Sequence, residues 1–157
     1  GISGAIDPHG DYSTLRSRTA STILTPHDGE FASLGGDAMS ADRIGATRDL
    51  AARIGCTVVR KGATTIISDA EGAVYLVASG DQRLATAGTG DVLAGIIGAL
   101  VATNYIEILN SKDRLAHVAA TGALIHNQAA LLASQGAPIT ASDISSNIQE
   151  AIRKLLK

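Results

Sequence analysis

An α/β domain is what this sequence predicts, and three observations carry the expectation. Helical and strand-like hydrophobic patterns alternate along the chain, as they do where helices cover a sheet. Hydrophobic residues make up 45% of the 157 and charged residues 18%, a balance that supports a packed core. No internal repeat and no low-complexity linker divides the chain.

Taken in order, residues 1–21 are polar and turn-rich, with no periodic pattern. A short β-type run, Thr22-Ile23-Leu24, stops at Thr25-Pro26, because proline ends regular pairing. After Gly35-Gly36 a helical stripe of Ile44, Thr47, Ala51 and Ile54 runs to Gly55, a residue suited to a helix C-terminus. Residues 56–60 read as a strand, interrupted by Lys61-Gly62. Residues 64–68 and 73–77 are two further strands, and Asp69-Ala70-Glu71-Gly72 between them reads as a hairpin turn. A loop and the segment 85–91 lead into an apolar helix over 92–103. Residues 112–135 are predicted as one long helix capped by Ser111, with Leu115, Val118, Gly122, Ile125, Ala129 and Leu132 on one stripe. The alanines and Gly122 of that stripe allow another element to approach closely. Thr140 or Ser142 caps a final helix carrying Ile144, Ile148, Ala151, Ile152 and Leu155.

Charge and cysteine usage narrow the function classes. Thirteen Lys+Arg against fifteen Asp+Glu give a net charge of -2, and no basic stretch could track a phosphate backbone, so nucleic acid is not an expected partner. A single phosphate ligand remains compatible, because backbone N–H groups hold one without a lysine cluster. The lone Cys56 excludes a disulfide within the chain and any cysteine-based zinc site; beside Val58 and Val59 it reads as a buried, inert thiol. The longest apolar run, 92–102, is broken by glycines and too short to cross a bilayer. The opening Gly1-Ile2-Ser3-Gly4 has no signal-peptide character, and a cytoplasmic protein is expected.

The sharpest local signal is Ala87-Gly88-Thr89-Gly90-Asp91 ahead of the apolar helix. Small residues leave successive N–H groups uncovered and the helix start adds partial positive charge, which together suit phosphate oxygens. Asp91 at the mouth could take a proton from an attacking hydroxyl, or could simply cap the helix, and spacing alone favours the cap. G-x-G-x-x-G fails at Leu93, and neither a G-x-x-x-x-G-K-[ST] loop nor G-x-S-x-G occurs. Thr25-Pro26-His27-Asp28-Gly29-Glu30 gathers polar groups at a strand end, where open α/β sheets place ligands, though a surface turn with Glu30 stabilising the next helix accounts for it equally. Lys61-Gly62-Ala63-Thr64-Thr65 suits a nucleotide phosphate or ribose, and a hairpin with one solvated lysine explains it just as well. His117 and His126, nine residues apart on one helix, face opposite sides, and no metal-ligand spacing is present.

The order T-P-H-x-G-E, K-G-A-x-T, A-x-G-T-G-D-V-L-x-G-I-I resembles the ADP/ATP-dependent NAD(P)H-hydrate dehydratase family, within the ribokinase-like superfamily. The matching stretches are 24–34, 57–67 and 84–100, with a looser match through His126 and Ala141-Ser142-Asp143. The resemblance implies a ribokinase-like three-layer sandwich, of which residues 1–157 would be a single domain piece, the C-terminal portion, including a β-hairpin. It implies repair of hydrated NADH and NADPH, with ADP or ATP and Mg²⁺, leaning to ADP. By position, Asp91 would be the catalytic base and a substrate contact. Gly88, Thr89 and Gly90 would form the anion hole. Lys61, Gly62, Ala63, Thr64, Thr65 and Gly90 would bind the nucleotide, and His27 the hydrated dinucleotide. No protein metal ligands follow from it. Two departures stand out: Ser79-Gly80-Asp81-Gln82-Arg83-Leu84 lacks the asparagine and glycine common in relatives, and His126-Asn127-Gln128 replaces a His-Gly pair, leaving His126 without a role. The family domain is also longer, which implies a missing N-terminal half and association with that half or with a second copy. A small-molecule kinase of the same superfamily and a non-catalytic nucleotide-binding fragment are the competing readings.

Overall fold

A computed structural model describes residues 11–78, 87–111, 113–134 and 137–157. The expectations for residues 1–10 and for the loop 79–86 lie outside the described residues.

The strands follow the sequence pattern closely. β1 (Ile23–Leu24), β2 (Thr57–Arg60), β3 (Thr64–Ser68) and β4 (Val74–Ala78) form one sheet in the order β1-β2-β3-β4. β1 pairs parallel to β2, while β2–β3 and β3–β4 are antiparallel hairpins. The second hairpin turns where expected: Asp69 Oδ1 accepts from Ala73 N at 2.8 Å, and Gly72 takes a φ of 99° that a side chain would strain. β4 is shifted one residue from its predicted position.

Helices cover both faces of the sheet. On one side lie α2 (Asp28–Ser33) and α3 (Arg43–Ile54), whose Phe31, Leu50, Ala51 and Ile54 pack, with Leu34 just after α2, on Cys56 and Val58. On the other lie α4 (Thr89–Thr103) and α6 (Arg114–Ser134), where Leu93, Ile97, Ala116, Ala119, Ala120 and Ala123 pack on Val59, Ile67 and Val77. Val58 and Val59 thus serve opposite layers because successive side chains of a strand alternate. α7 (Ala141–Leu155) closes over α6 through Ile144 and Ala151 against Ala129 and Ala130. Two short helices, α1 (Ser13–Arg16) and α5 (Tyr105–Asn110), complete the described elements. Helix, sheet and helix make three layers, as predicted.

Several boundaries and faces differ from the sequence reading. The stripe of α3 runs through Thr47, Leu50, Ala51 and Ile54, and Ile44 is 40% exposed. Ile44 lies on nearly the same side of the helix as the buried Ala51, seven residues on, but belongs to the first turn, next to Arg43, which bonds Asp28. α4 begins at Thr89 rather than Val92, so the glycine-rich segment is its first turn. α6 begins at Arg114, and Ser111 Oγ donates to Asp113 Oδ1 instead of serving the cap expected of it. Thr140 does cap α7, in a reciprocal box with Asp143. Ile152 and Leu155 of α7 stay partly exposed. Cys56 is buried, and that burial pushes its thiol pKa up, in keeping with an inert group.

α4 approaches α6 closely at Gly122: a Cβ there would lie 2.7 Å from Ile97 Cγ1 and 3.4 Å from Ile97 Cα. Gly122→Val is expected to cost about 1–3 kcal/mol by overpacking, read as a lower urea midpoint with an unchanged m-value.

Candidate functional site

The site assembles at the carboxyl ends of β1 and β2, the edge at which open α/β sheets receive ligands. Lys61, the residue after β2, donates its backbone N–H to Pro26 O at 2.8 Å, which ties the turn after β1 to the turn after β2. His27 then caps α2 in a reciprocal box: His27 Nδ1 accepts from Glu30 N at 3.2 Å, and Glu30 Oε2 accepts from His27 N at 2.9 Å. A Cβ on Gly29 would stand 3.1 Å from His27 Cε1, so a larger residue would press on the ring. The strand-to-loop junction read from sequence is therefore the start of a short helix that Glu30 stabilises. The His27 ring remains exposed, with Nε2 facing outward 3.5 Å from Glu30 Oε2.

Glu30 also reaches Lys61, with Oε2 3.8 Å from Nζ. The same ammonium lies 3.1 Å from the position a Cβ of Gly90 would take. His27, Glu30, Lys61 and Gly90 are thus neighbours, and three motifs separated by about sixty residues of chain converge on one lysine. Gly88 enters α4 with φ 85°, a conformation that favours glycine, and Ala141 of α7 crowds it: an added Cβ would meet Ala141 Cβ at 3.2 Å. Asp91 N and Val92 N both donate to Gly88 O, at 3.1 and 3.2 Å. One residue earlier, Gly90 presents its N–H at the helix mouth as opening-turn residues do. Asp91 is exposed in that first turn, where the helix dipole favours a negative charge.

The remaining predicted nucleotide contacts divide. Lys61, Gly62 and Ala63 form the β2–β3 turn, and Gly62 lies under Arg43, whose Nη2 a Cβ would meet at 2.8 Å. Thr64 is exposed at the start of β3, but Thr65 is 8% exposed and directed into the α4/α6 layer.

Two polar networks, one charged and one neutral, hold this arrangement and were missed from sequence. Arg60 is wholly buried, with Nε donating to Asp28 Oδ1 at 2.7 Å, Nη2 to Ala38 O at 3.1 Å, and its plane 4.1 Å over the Phe31 ring. Arg43 adds two bonds to the same carboxylate, at 3.0 and 3.3 Å. Partial burial pushes the Asp28 carboxyl up, but the Arg43 and Arg60 guanidiniums pull it further down, below the usual carboxylate range. A charged residue closing the buried run Val58-Val59 was the available signal. On the opposite layer, His126 Nε2 lies 3.0 Å from Thr89 O, and Asn127 Nδ2 donates to Ala78 O at the end of β4. Among the described residues, no group of three or more His, Cys, Asp or Glu is placed to hold a metal ion. Among them, too, no helix is long and apolar enough to cross a membrane.

A family model described as NAD(P)H-hydrate dehydratase, of the carbohydrate-kinase type, matches residues 5–152. The chain belongs to this family. The NAD(P)H-hydrate dehydratase family chain is 42% identical, over 144 residues, to a bifunctional NAD(P)H-hydrate repair enzyme of Mycobacterium leprae, covering 88% of this chain and 29% of that protein. It is 39% identical over 136 residues to an ADP-dependent (S)-NAD(P)H-hydrate dehydratase of Neisseria meningitidis, covering 85% of this chain and 43% of that protein. Among solved structures it is similar to a Bacillus subtilis ADP/ATP-dependent NAD(P)H-hydrate dehydratase co-crystallised with ATP and Mg²⁺: TM-score 0.72, 26% identity, 89% of this chain and 53% of that one. A ribokinase-like superfamily protein of Enterococcus faecalis shares the fold, with TM-score 0.64 at 23% identity over 90% of this chain and 48% of that one. The fold is ribokinase-like, and the chain spans about half, or less, of the length of these relatives. That partial coverage agrees with the expected C-terminal portion.

Two outcomes follow for this dehydratase-family chain. Asp28→Ala strands the buried Arg60 charge and is expected to cost about 3 kcal/mol, whereas Arg60→Met, which removes the charge with its need for a partner, costs less; urea unfolding of both variants checks this. Burial, only partly offset by the bond to Thr89, lowers the His126 pKa from 6.5. Below about pH 6.5 the unfolded chain therefore binds more protons at this residue than the folded one. Its contribution to stability is complete above that pH and falls as pH drops towards the folded value. Melting temperatures taken between about pH 5 and 8 should show this slope, and His126→Gln should reduce it.

Proposed function

We propose that this chain carries the phosphoryl-transfer portion of an ADP- or ATP-dependent enzyme that returns hydrated NADH and NADPH to their dehydrated forms. The observation that carries the reading is the convergence of the His27–Glu30 turn, Lys61 and the Gly88–Asp91 helix start on one mouth. The named relatives, in M. leprae and N. meningitidis, support the same reaction class.

In this reading Asp91 takes the proton from the ring hydroxyl of the hydrate, and the hydroxyl oxygen attacks the terminal phosphoryl group of the nucleotide. The nucleotide leaves one phosphate shorter. The ring C–O bond then breaks, phosphate departs with the electron pair, and a proton lost from the neighbouring ring carbon restores the double bond. Developing negative charge on the transferring group is met by the Gly88–Thr89–Gly90 turn and by Lys61 Nζ, fixed donors that need no reorganisation. Lys61, Gly62, Ala63 and Thr64 border the nucleotide, with Thr65 supporting them from beneath, and exposed His27 contacts the hydrated ring. Mg²⁺ fits as a companion of the phosphates, since it ordinarily keeps waters and needs only one or two carboxylates, of which Glu30 and Asp91 lie at this mouth. When bound it supplies charge neutralisation.

ADP is the preferred donor in this proposal, the compartment is the cytoplasm, and residues 1–157 act as one unit, the C-terminal portion of a ribokinase-like catalytic domain. Association with the rest of that domain or with a second copy is supported by β1 lying at an edge of the described sheet and by exposed Tyr105, Ile106 and Leu109 on α5.

The test is recovery of NADH absorbance from hydrated NADH with ADP or ATP and Mg²⁺, using the full-length gene product that carries this chain. Asp91→Asn is expected to lower kcat by about 10²–10⁴-fold, and Lys61→Met to raise the nucleotide KM. Phosphorylation of a sugar or vitamin precursor, with no hydrate turnover, would move the assignment to a small-molecule kinase.

A further inference from the structure

The long helix α6 faces the mouth of α4 with a buried imidazole that the reaction just described does not use. His126 is 8% exposed, and its Nε2 lies 3.0 Å from Thr89 O. A carbonyl oxygen only accepts, so Nε2 carries the hydrogen and donates it. Burial keeps the ring in its neutral form at ordinary pH.

Thr89 O belongs to the peptide unit whose other end is the N–H of Gly90. That unit is planar and trans, so holding its oxygen fixes the direction of its N–H. The oxygen is held from the α6 side, and in a trans peptide the N–H points the opposite way, towards the open N-terminal end of α4; Lys61 Nζ is a neighbour of the same residue, 3.1 Å from where a Cβ on Gly90 would stand. A bond accepted at the carbonyl also polarises the unit and strengthens what its N–H donates. The neighbouring Asn127 donates to Ala78 O at the end of β4, which anchors this turn of α6 to the sheet and keeps the imidazole in place.

We propose that His126 is a positioning residue for phosphoryl transfer: its Nε2–H clamps the Thr89–Gly90 peptide plane so that the Gly90 N–H is aimed at the anion in the mouth of α4. The inference rests on the nucleotide-dependent reading above and adds to it a donor chain running from α6 through one peptide bond to the transferring group.

The test compares wild type, His126→Leu and His126→Gln in the full-length gene product, with two readouts. In the hydrate assay, His126→Leu is expected to lower kcat about ten- to a hundredfold, the range for misplacing one anion-hole donor, with the nucleotide KM within about threefold of wild type. His126→Gln, whose side-chain amide supplies an N–H at similar reach, should recover kcat to within about fivefold. The second readout needs no turnover: the ¹⁵N–¹H resonance of Gly90 is followed as ADP is added. Wild type and His126→Gln should show an ADP-induced shift that His126→Leu lacks. Equal shifts in all three proteins, or a folded His126→Leu with wild-type kcat, would overturn the proposal. So would loss of kcat in both variants in proportion to their folded fraction by circular dichroism. Should wild type turn over no hydrate, the function reading fails while the Gly90 resonance still decides the clamp. Should His126→Leu not fold, an unshifted Gly90 in a folded His126→Gln overturns it, and a wild-type shift there supports it.

Discussion

Arg60 holds its positive charge at the end of β2 with no solvent exposure, and a charge in that position must be matched close by. Asp28 supplies the match from the first turn of α2, the Ala38 carbonyl accepts from Nη2 and Phe31 lies against the guanidinium, leaving Nη1 buried without a hydrogen-bond partner among the described residues. Matching the charge therefore docks α2 against the strand end. Once α2 is docked, its cap at His27 and its third residue, Glu30, are set beside the very next residue of β2's chain, Lys61. A need that belongs to the hidden layer thus determines what the open mouth presents. Arg43 extends the arrangement to α3 and lies over Gly62, so the β2–β3 turn is placed by the same carboxylate.

The other half of the mouth is placed by packing of small residues rather than by charge. Gly122 and the alanines of α6 let α4 come close, and the closeness brings the first turn of α4 within reach of His126. Ala141 at the head of α7 bounds Gly88 from the far side. The glycines of the α4 entrance are thus constrained on several sides: by a left-handed φ at Gly88, by Lys61 at Gly90, and by α6 behind Thr89. Contacts on several sides of one turn restrict the conformations open to it, the condition under which the donors of the proposed reaction would act as fixed ones.

Much of the fold was legible because its signals are local. The hairpin of Asp69–Gly72, the left-handed stop at Gly55, the cap at Thr140 and the small-residue stripe around Gly122 each depend on residues near one another in the chain. The errors fall where distant groups override local pattern. Ile44 sits at an apolar interval yet is 40% exposed in the first turn of α3, where Arg43 bonds Asp28 of another element. α2 was hidden because its cap is a histidine accepting through Nδ1, a role usually filled by Ser, Thr, Asp or Asn.

By itself the sequence determined the class of fold, the order of the strands and of the longer helices, and the run of small residues that opens α4. Those features follow from backbone conformational preference and hydrophobic period, which act within a few residues. What only the tertiary structure decided is which of these residues meet: Glu30 with Lys61, Lys61 with Gly90, and His126 with the carbonyl of Thr89. Such meetings join residues 29 to 37 positions apart. They depend on burying a charge and on how closely two helices can pack, neither of which is written in any single segment.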